Sequence, residues 1–99
     1  MIELNAEQLK NKINSGEKFV VDFYATWCGP CKYFSKILEE HSDKFGVPVY
    51  KFDIETDRDM SVKYNIRSVP TLKLFNEGNS IKTHLGILSE SEFNKFSNS

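Results

Sequence analysis

The feature that most constrains this 99-residue chain is an apolar run that leads into two closely spaced cysteines. Residues 19–24 are Phe-Val-Val-Asp-Phe-Tyr, a pattern typical of a buried strand. Residues 27–31 are Trp-Cys-Gly-Pro-Cys, and proline is favoured at early helical positions. The sequence therefore predicts that Cys28 and Cys31 lie where a strand passes into a helix. In that geometry, two thiols three positions apart can form a disulfide.

Length and composition predict one soluble globular domain over residues 1–99. Hydrophobic residues make up 39% and charged residues 27% of the chain, and the net charge of −1 predicts neither a nucleic-acid nor a membrane partner. No apolar run approaches the roughly 20 residues of a membrane helix. The first residues lack the basic and apolar regions of a signal peptide, so we expect a cytoplasmic protein. In such a protein a single cysteine pair indicates redox or metal chemistry rather than a disulfide framework.

The remaining patterns predict alternating strands and helices. The expected elements are a short strand near Leu4, a helix capped by Asn5 with Gln8, a strand over 18–25, a helix over about 30–44, a strand over 47–54, a short helix capped by Thr56 and ending at Tyr64, an antiparallel hairpin with strands over 71–75 and 81–85, and a last helix capped by Ser89 with Glu92. The order β-α-β-α-β-α-β-β-α predicts an α/β fold with a mixed five-stranded sheet and four helices on its two faces.

This order, with the cysteine motif after the second strand, resembles the thioredoxin family over nearly the whole chain. Asp22 lies six residues before Cys28, as the family's buried aspartate does. Residues 66–72 resemble the segment around the family's cis-proline, which places that proline at Pro70. The Gly-Pro pair between the cysteines is typical of the reducing branch. Three further residues match the family pattern, namely Lys51 beside the aspartate, Gly78 in the hairpin and Gly86 in the substrate groove.

The resemblance implies a protein-disulfide reductase, a thiol–disulfide oxidoreductase that acts as an electron carrier. Cys28 would be the nucleophile, because a helix N-terminus favours its thiolate, and Cys31 would be the more buried resolving thiol. The alternative for Cys28 is a structural disulfide or an inert thiol. The chain has no dinucleotide-binding fingerprint. We therefore expect no cofactor beyond the Cys28–Cys31 disulfide, with re-reduction by a separate enzyme, thioredoxin reductase.

Asp22 is the one charged residue in its apolar strand. A carboxylate is costly to bury in its charged form, so we expect a raised pKa of Asp22. The functional interpretation is a proton acceptor for Cys31, acting through water. The structural interpretation is an ion pair with Lys51.

The resemblance also implies a surface that binds the substrate peptide beside the cysteines. Its residues would be Trp27, Ile66, Val69, Pro70 and Gly86, with a cis Val69–Pro70 bond and with Gly29 and Pro30 shaping the loop. Three alternatives stay open: Trp27 as a packed aromatic, Pro70 as the start of an edge strand, and Tyr64 with Ile66 as core residues.

Two residues depart from the family pattern. Tyr24 stands where many members have a second tryptophan, and Lys36 stands where many have a proline that kinks the active-site helix. Without the proline we expect a straighter helix and no loss of redox function.

Other classes of function are less well supported by the residues present. A structural zinc site needs four ligands, whereas the chain offers only His41 and His84 besides the cysteine pair, so we expect no metal site. A thiol oxidase or isomerase is a second enzyme hypothesis, and an accessory binding module is a non-enzymatic one. The expected partners are disulfide-containing proteins and the reductase, and we expect a monomer.

Overall fold

The strands form one mixed sheet, and helices pack on both of its faces. The structure is a computed structural model that describes residues 1–41 and 44–98. In chain order the elements are β1 (Ile2–Glu3), α1 (Ala6–Asn14), β2 (Phe19–Tyr24), α2 (Gly29–His41), β3 (Val49–Asp53), α3 (Arg58–Lys63), β4 (Thr71–Asn76), β5 (Asn79–Leu85) and α4 (Glu90–Ser97). The sheet order is β1-β3-β2-β4-β5, in which β1, β3 and β2 are parallel and β4 and β5 are antiparallel. The predicted fold class and element order are confirmed.

Strand β2 lies at the centre of the sheet, and five of its six residues are buried. Val21 and Phe23 face the core cluster formed with α1 and α3, whereas Val20 faces the cluster formed with α2 and α4. Because side chains alternate along a strand, Asp22 lies on the same face as Val20. The sheet therefore presents this carboxyl to the helix that follows the cysteine motif.

The N-termini of the helices are capped much as the sequence predicts. Complete capping boxes join Asn5 to Gln8 and Ser89 to Glu92. The expected cap at Thr56 is wrong, since Asp57 accepts the hydrogen bond of the Met60 amide at 3.1 Å. The hydroxyl of Thr56 instead donates to the carbonyl of Asp53 at 2.7 Å. A carboxylate one position further along is in the right place to accept from the third helical amide.

Some elements end at other residues than the sequence patterns suggest. Helix α2 ends at His41, and part of its expected extension, residues 42–43, lies outside the described residues. Strand β5 forms the expected hairpin, with an irregularity in its register at residues 74–75. Ile81 and Leu85 remain exposed because β5 is the edge of the sheet. Within 1–41 and 44–98, the helices are all too short or too polar to cross a membrane.

The first capping box supports a stability prediction. Asn5→Ala removes the oxygen that accepts from the Gln8 amide at 2.8 Å. We expect the free energy of unfolding to fall by about 1 kcal/mol, measured by urea denaturation. Asn11→Ala, an exposed change inside the same helix, is the matched control and should not destabilise the protein. Equal stabilities of the two variants would contradict the role of the cap.

Candidate active site

Cys28 and Cys31 lie at the N-terminus of α2 and form a disulfide, with their Cα atoms 5.2 Å apart. A tight turn places them there, since the Cys28 amide donates to the Ala25 carbonyl at 3.2 Å. The carbonyl of Cys28 then accepts from the Lys32 amide at 3.3 Å. Cys28 is therefore the N-cap residue of α2, and Cys31 lies in the first helical turn.

The helix presents a backbone donor to the sulfur of Cys28. The amide of Cys31 donates to Cys28 Sγ at 3.1 Å, which is the contact an N-cap side chain makes with the third helical residue. Pro30, between them, has no N–H to offer. No acidic residue in the first turn of α2 opposes the positive end of the helix dipole. When the disulfide is reduced, this arrangement favours a thiolate at Cys28.

The two cysteine residues differ in exposure to solvent. Cys28 is 5% exposed and Cys31 is completely buried. A side chain at Gly29 would meet no atom within 4 Å, so the approach on this side is open. Trp27 projects beside them and is 68% exposed, which places it on the surface rather than in the core. Cys28 is therefore the more accessible of the two cysteines.

Asp22 is fully buried on the face of the sheet that packs against α2. Burial raises the pKa of Asp22 to about 7, while the hydrogen bond from Ser35 and the positive charge of Lys51 act in the opposite direction. The hydroxyl of Ser35 donates to Asp22 Oδ2 at 3.1 Å. Among the described residues, Asp22 Oδ1 has no hydrogen-bond partner.

Lys51 lies beside Asp22 on the neighbouring strand β3, as the family pattern implies. Within the described part of the chain the two residues form no direct ion pair, so the lysine acts on the carboxylate at longer range. Its Nζ atom lies 5.6 Å above the ring of Tyr24. Tyr24 in turn donates a hydrogen bond to the carboxylate of Glu3 in β1. The pKa of Tyr24 is raised, and burial is the largest cause. The residue that replaces the family's tryptophan therefore links β2 to the edge strand.

The segment around Pro70 closes over the disulfide. The Val69–Pro70 peptide bond is cis, as expected. Val69 packs against the cysteine pair, and its carbonyl oxygen is 3.9 Å from Cys28 Sγ. The amide of Gly86 donates to the Pro70 carbonyl at 2.9 Å, with a backbone φ of 93° that glycine adopts without strain. The structure thus brings Cys28, Val69, Pro70 and Gly86 together.

Ile66 and Tyr64 pack against the hydrophobic core. Both are half-buried against the core cluster of α1 and α3, and neither belongs to the cluster around the cysteines. The ring of Tyr64 packs edge-on against Phe75, with the ring centres 5.4 Å apart. Core packing accounts for the buried part of both residues.

Ser35 is the one residue of this site that the sequence patterns did not single out. It follows Cys31 by four positions in α2, so the two side chains lie on one face of the helix. That spacing, together with a buried aspartate in the preceding strand, is the signal that would have identified it. Lys36, the next residue, is exposed, and α2 remains helical from Gly29 to His41.

Across the residues that the structure describes, no three His, Cys, Asp or Glu side chains are grouped so that they could hold a metal ion.

The comparison with known families decides the classification. The thioredoxin family model matches residues 1–99. The chain belongs to the thioredoxin family.

Individual thioredoxins are similar to the chain over nearly their whole length. The thioredoxin of Buchnera aphidicola subsp. Acyrthosiphon pisum is 40% identical over 99 residues, which cover 97% of this chain and 92% of that protein. The thioredoxin of Mycoplasmoides gallisepticum is 37% identical and covers 89% of each chain. The solved structure of Plasmodium falciparum thioredoxin aligns with a TM-score of 0.87 at 30% identity, covering 99% of this chain and 97% of that one.

The activity follows from the family together with the geometry. Thioredoxins are disulfide oxidoreductases, and this chain carries their cysteine pair at disulfide distance. The Cys28–Cys31 pair is therefore the centre at which dithiol–disulfide exchange takes place. The redox-active group is part of the protein itself, and thioredoxins need no separate cofactor.

Proposed function

We propose that this thioredoxin reduces disulfides of other proteins in the cytoplasm. In this role residues 1–99 act as a single monomeric domain that carries electrons from thioredoxin reductase to its targets. The chain would thereby contribute to electron transport and to the redox balance of the cell. Support comes from the Gly-Pro pair between the cysteines and from curated relatives that are themselves named thioredoxin.

In the first step, the Cys28 thiolate attacks one sulfur of the substrate disulfide. A bond forms between Cys28 Sγ and that sulfur, the substrate disulfide breaks, and its other sulfur leaves as a thiolate that takes a proton from water. The observation that carries this assignment is the 3.1 Å hydrogen bond from the Cys31 amide to Cys28 Sγ, because a donated hydrogen bond stabilises negative charge on this sulfur.

In the second step, Cys31 resolves the mixed disulfide. Its thiol gives a proton through water to the carboxylate of Asp22, and its sulfur then attacks Cys28 Sγ. The Cys28–Cys31 bond forms, the bond to the substrate breaks, and the second substrate sulfur leaves and is protonated. Two electrons pass from the cysteine pair to the substrate; the second substrate sulfur takes the proton that Asp22 received from Cys31, and the first took its proton from water. The complete burial of both Cys31 and Asp22 supports this division of roles.

The substrate peptide binds beside the cysteines on the surface of Trp27, Val69, Pro70 and Gly86, with Ile66 at its margin. An extended peptide can pair with exposed backbone groups as an additional strand. The exposure of Trp27 and the contact between the Val69 carbonyl and Cys28 support this location. Gly29 and Pro30 carry no long side chain between the cysteines, so that a peptide can approach the disulfide.

The direct test is reduction of a disulfide-containing protein by Cys28→Ser. This variant lacks the first nucleophile, so we expect activity to be abolished in the presence of thioredoxin reductase and its electron donor. The control is Ser80→Ala on β5, which should retain the full rate. Activity of Cys28→Ser above the background without protein would overturn the assignment of the nucleophile.

A redox titration distinguishes the proposed reductase from an oxidase or isomerase. A strongly reducing midpoint potential of the Cys28–Cys31 pair is the expected result, whereas an oxidising value would favour the alternatives. A variant in which both cysteines are serine addresses the binding-module hypothesis. If the activity of the assembly to which the protein belongs survives in that variant, dithiol chemistry is not the function.

A further inference from the structure

Ser35 occupies a position that links the buried carboxylate to the helix of the active site. Its hydroxyl lies 3.1 Å from Asp22 Oδ2, and it is a donor because a carboxylate can only accept. Cys31 and Ser35 are four residues apart on α2 and therefore share the face that packs on this part of the sheet.

The two oxygens of Asp22 have different surroundings. Oδ2 accepts from Ser35, whereas Oδ1 has no hydrogen-bond partner among the described residues although it is completely buried. A hydroxyl that donates to one oxygen restricts rotation of the carboxyl group. It leaves the other oxygen with its full capacity to accept a proton.

The remaining neighbours of Asp22 within residues 1–41 and 44–98 do not provide this restraint. On β3, Lys51 is its cross-strand partner, but the lysine acts on the carboxylate through its charge at longer range. On β4, the partner is Leu72, which is apolar. On β2 itself, the hydroxyl of Tyr24 is directed to Glu3. Ser35 is thus the hydroxyl that holds Asp22 directly.

We propose that Ser35 is a positioning residue for the resolving step, which holds Asp22 through Oδ2 so that Oδ1 receives the proton of Cys31. The proposal rests on the proposed function of Asp22 as the proton acceptor. It also implies that Ser35 helps to set the pH above which resolution is fast, because a donated hydrogen bond favours the ionised carboxylate. No co-reactant is involved, since the proton passes from the Cys31 thiol to Asp22 and the electrons follow the exchange described above.

The test follows the resolving step with the aromatic disulfide 5,5′-dithiobis(2-nitrobenzoate). Attack by Cys28 releases one coloured thiolate, and resolution by Cys31 releases the second, so that stopped-flow absorbance separates the two rates. In parallel, the ¹³C shift of the Asp22 carboxyl reports its titration, with the signal assigned by its loss in Asp22→Asn.

Ser35→Ala should move the titration midpoint of Asp22 upward by about one pH unit. Below the midpoint the ionised fraction then falls about tenfold, and the second release should slow by the same factor. At high pH, where Asp22 is ionised in both proteins, the two rates should approach each other, and the slowing of Ser35→Ala that remains there measures the loss of positioning. Alanine is a good helix former, so the variant should fold. Ser80→Ala, the same change on an exposed part of β5, should leave the profile unchanged.

The double variant Asp22→Asn with Ser35→Ala tests the role of Ser35 separately from the role of Asp22. In Asp22→Asn the addition of Ser35→Ala should slow the second release no further. If Ser35→Ala slows the second release equally in the Asp22→Asn protein, the positioning role is overturned. The same holds if Asp22→Asn is slow but the pH profile of the second release in Ser35→Ala coincides with that of wild type. If Asp22→Asn itself resolves at the wild-type rate, the proposed proton acceptor is wrong, and the inference about Ser35 is overturned with it.

Discussion

Cys31→Ser is expected to turn the protein into a covalent trap for its substrates. Cys28 keeps the backbone donor that favours its thiolate, because the amide at position 31 is unchanged by the substitution. The first exchange therefore proceeds, and the mixed disulfide cannot be resolved from within the chain. Multiple turnover should be lost, and up to one substrate should be bound per protein. Mass spectrometry under non-reducing conditions measures the adduct, which dithiothreitol should release.

The matched control for the trap is Cys28→Ser. It retains one thiol, but this thiol is the fully buried one, and no adduct should accumulate. If Cys28→Ser captured substrate and Cys31→Ser did not, the roles of the two cysteines would have to be exchanged.

Asp22→Asn should stabilise the fold in a manner that depends on pH. Burial raises the pKa of Asp22 from 3.8 to about 7, so between these values the folded state binds a proton that the unfolded state does not. Stability therefore decreases as the pH rises through this window, and the full cost is present above about pH 7. Asparagine is neutral throughout, so the variant should be more stable by up to about 4 kcal/mol above this window. Below about pH 4 the difference should disappear.

The same substitution should slow resolution while it stabilises the protein. A positioned general base commonly contributes about a hundredfold or more, so we expect the second release of coloured thiolate to slow by about that factor at neutral pH. Denaturant unfolding across the pH range measures the stability, and stopped-flow absorbance measures the rate. Asp59→Asn, an exposed change in α3, is the control for both. A variant that gained stability with unchanged kinetics would favour the purely structural interpretation of Asp22.

The fold was largely predictable because local and global signals agree. The apolar run before the cysteines, the turn at residues 76–79 and the two capping boxes each identify one element boundary. The prediction that failed concerns a choice between two neighbouring residues. Thr56 and Asp57 both carry an oxygen near the start of α3, and only the three-dimensional course of the chain decides that Asp57 is the cap. Ile81 lies in the predicted hairpin strand, and its exposure on the edge of the sheet is not determined by the alternating pattern alone.

The site residues that are close together in the sequence were predictable. The contacts between residues that only the fold brings together were less so. The burial of Asp22 follows from its apolar neighbours, and its raised pKa was expected for that reason. The contact between Val69 and Cys28 joins segments 41 residues apart, and only the family resemblance suggested it. The hydrogen bond between Ser35 and Asp22 depends on the rotation of α2 over the sheet, which periodicity alone does not determine.

The central position of β2 also bears on how the protein opens. Local unfolding begins where few groups are buried, and in this sheet the outermost strands are β1, with two residues, and the exposed β5. Because β3 and β4 separate these edges from β2, either edge can fray while β2 keeps its backbone pairing on both sides. Fraying of the outer strands therefore leaves the strand that leads into the redox centre paired with both of its neighbours.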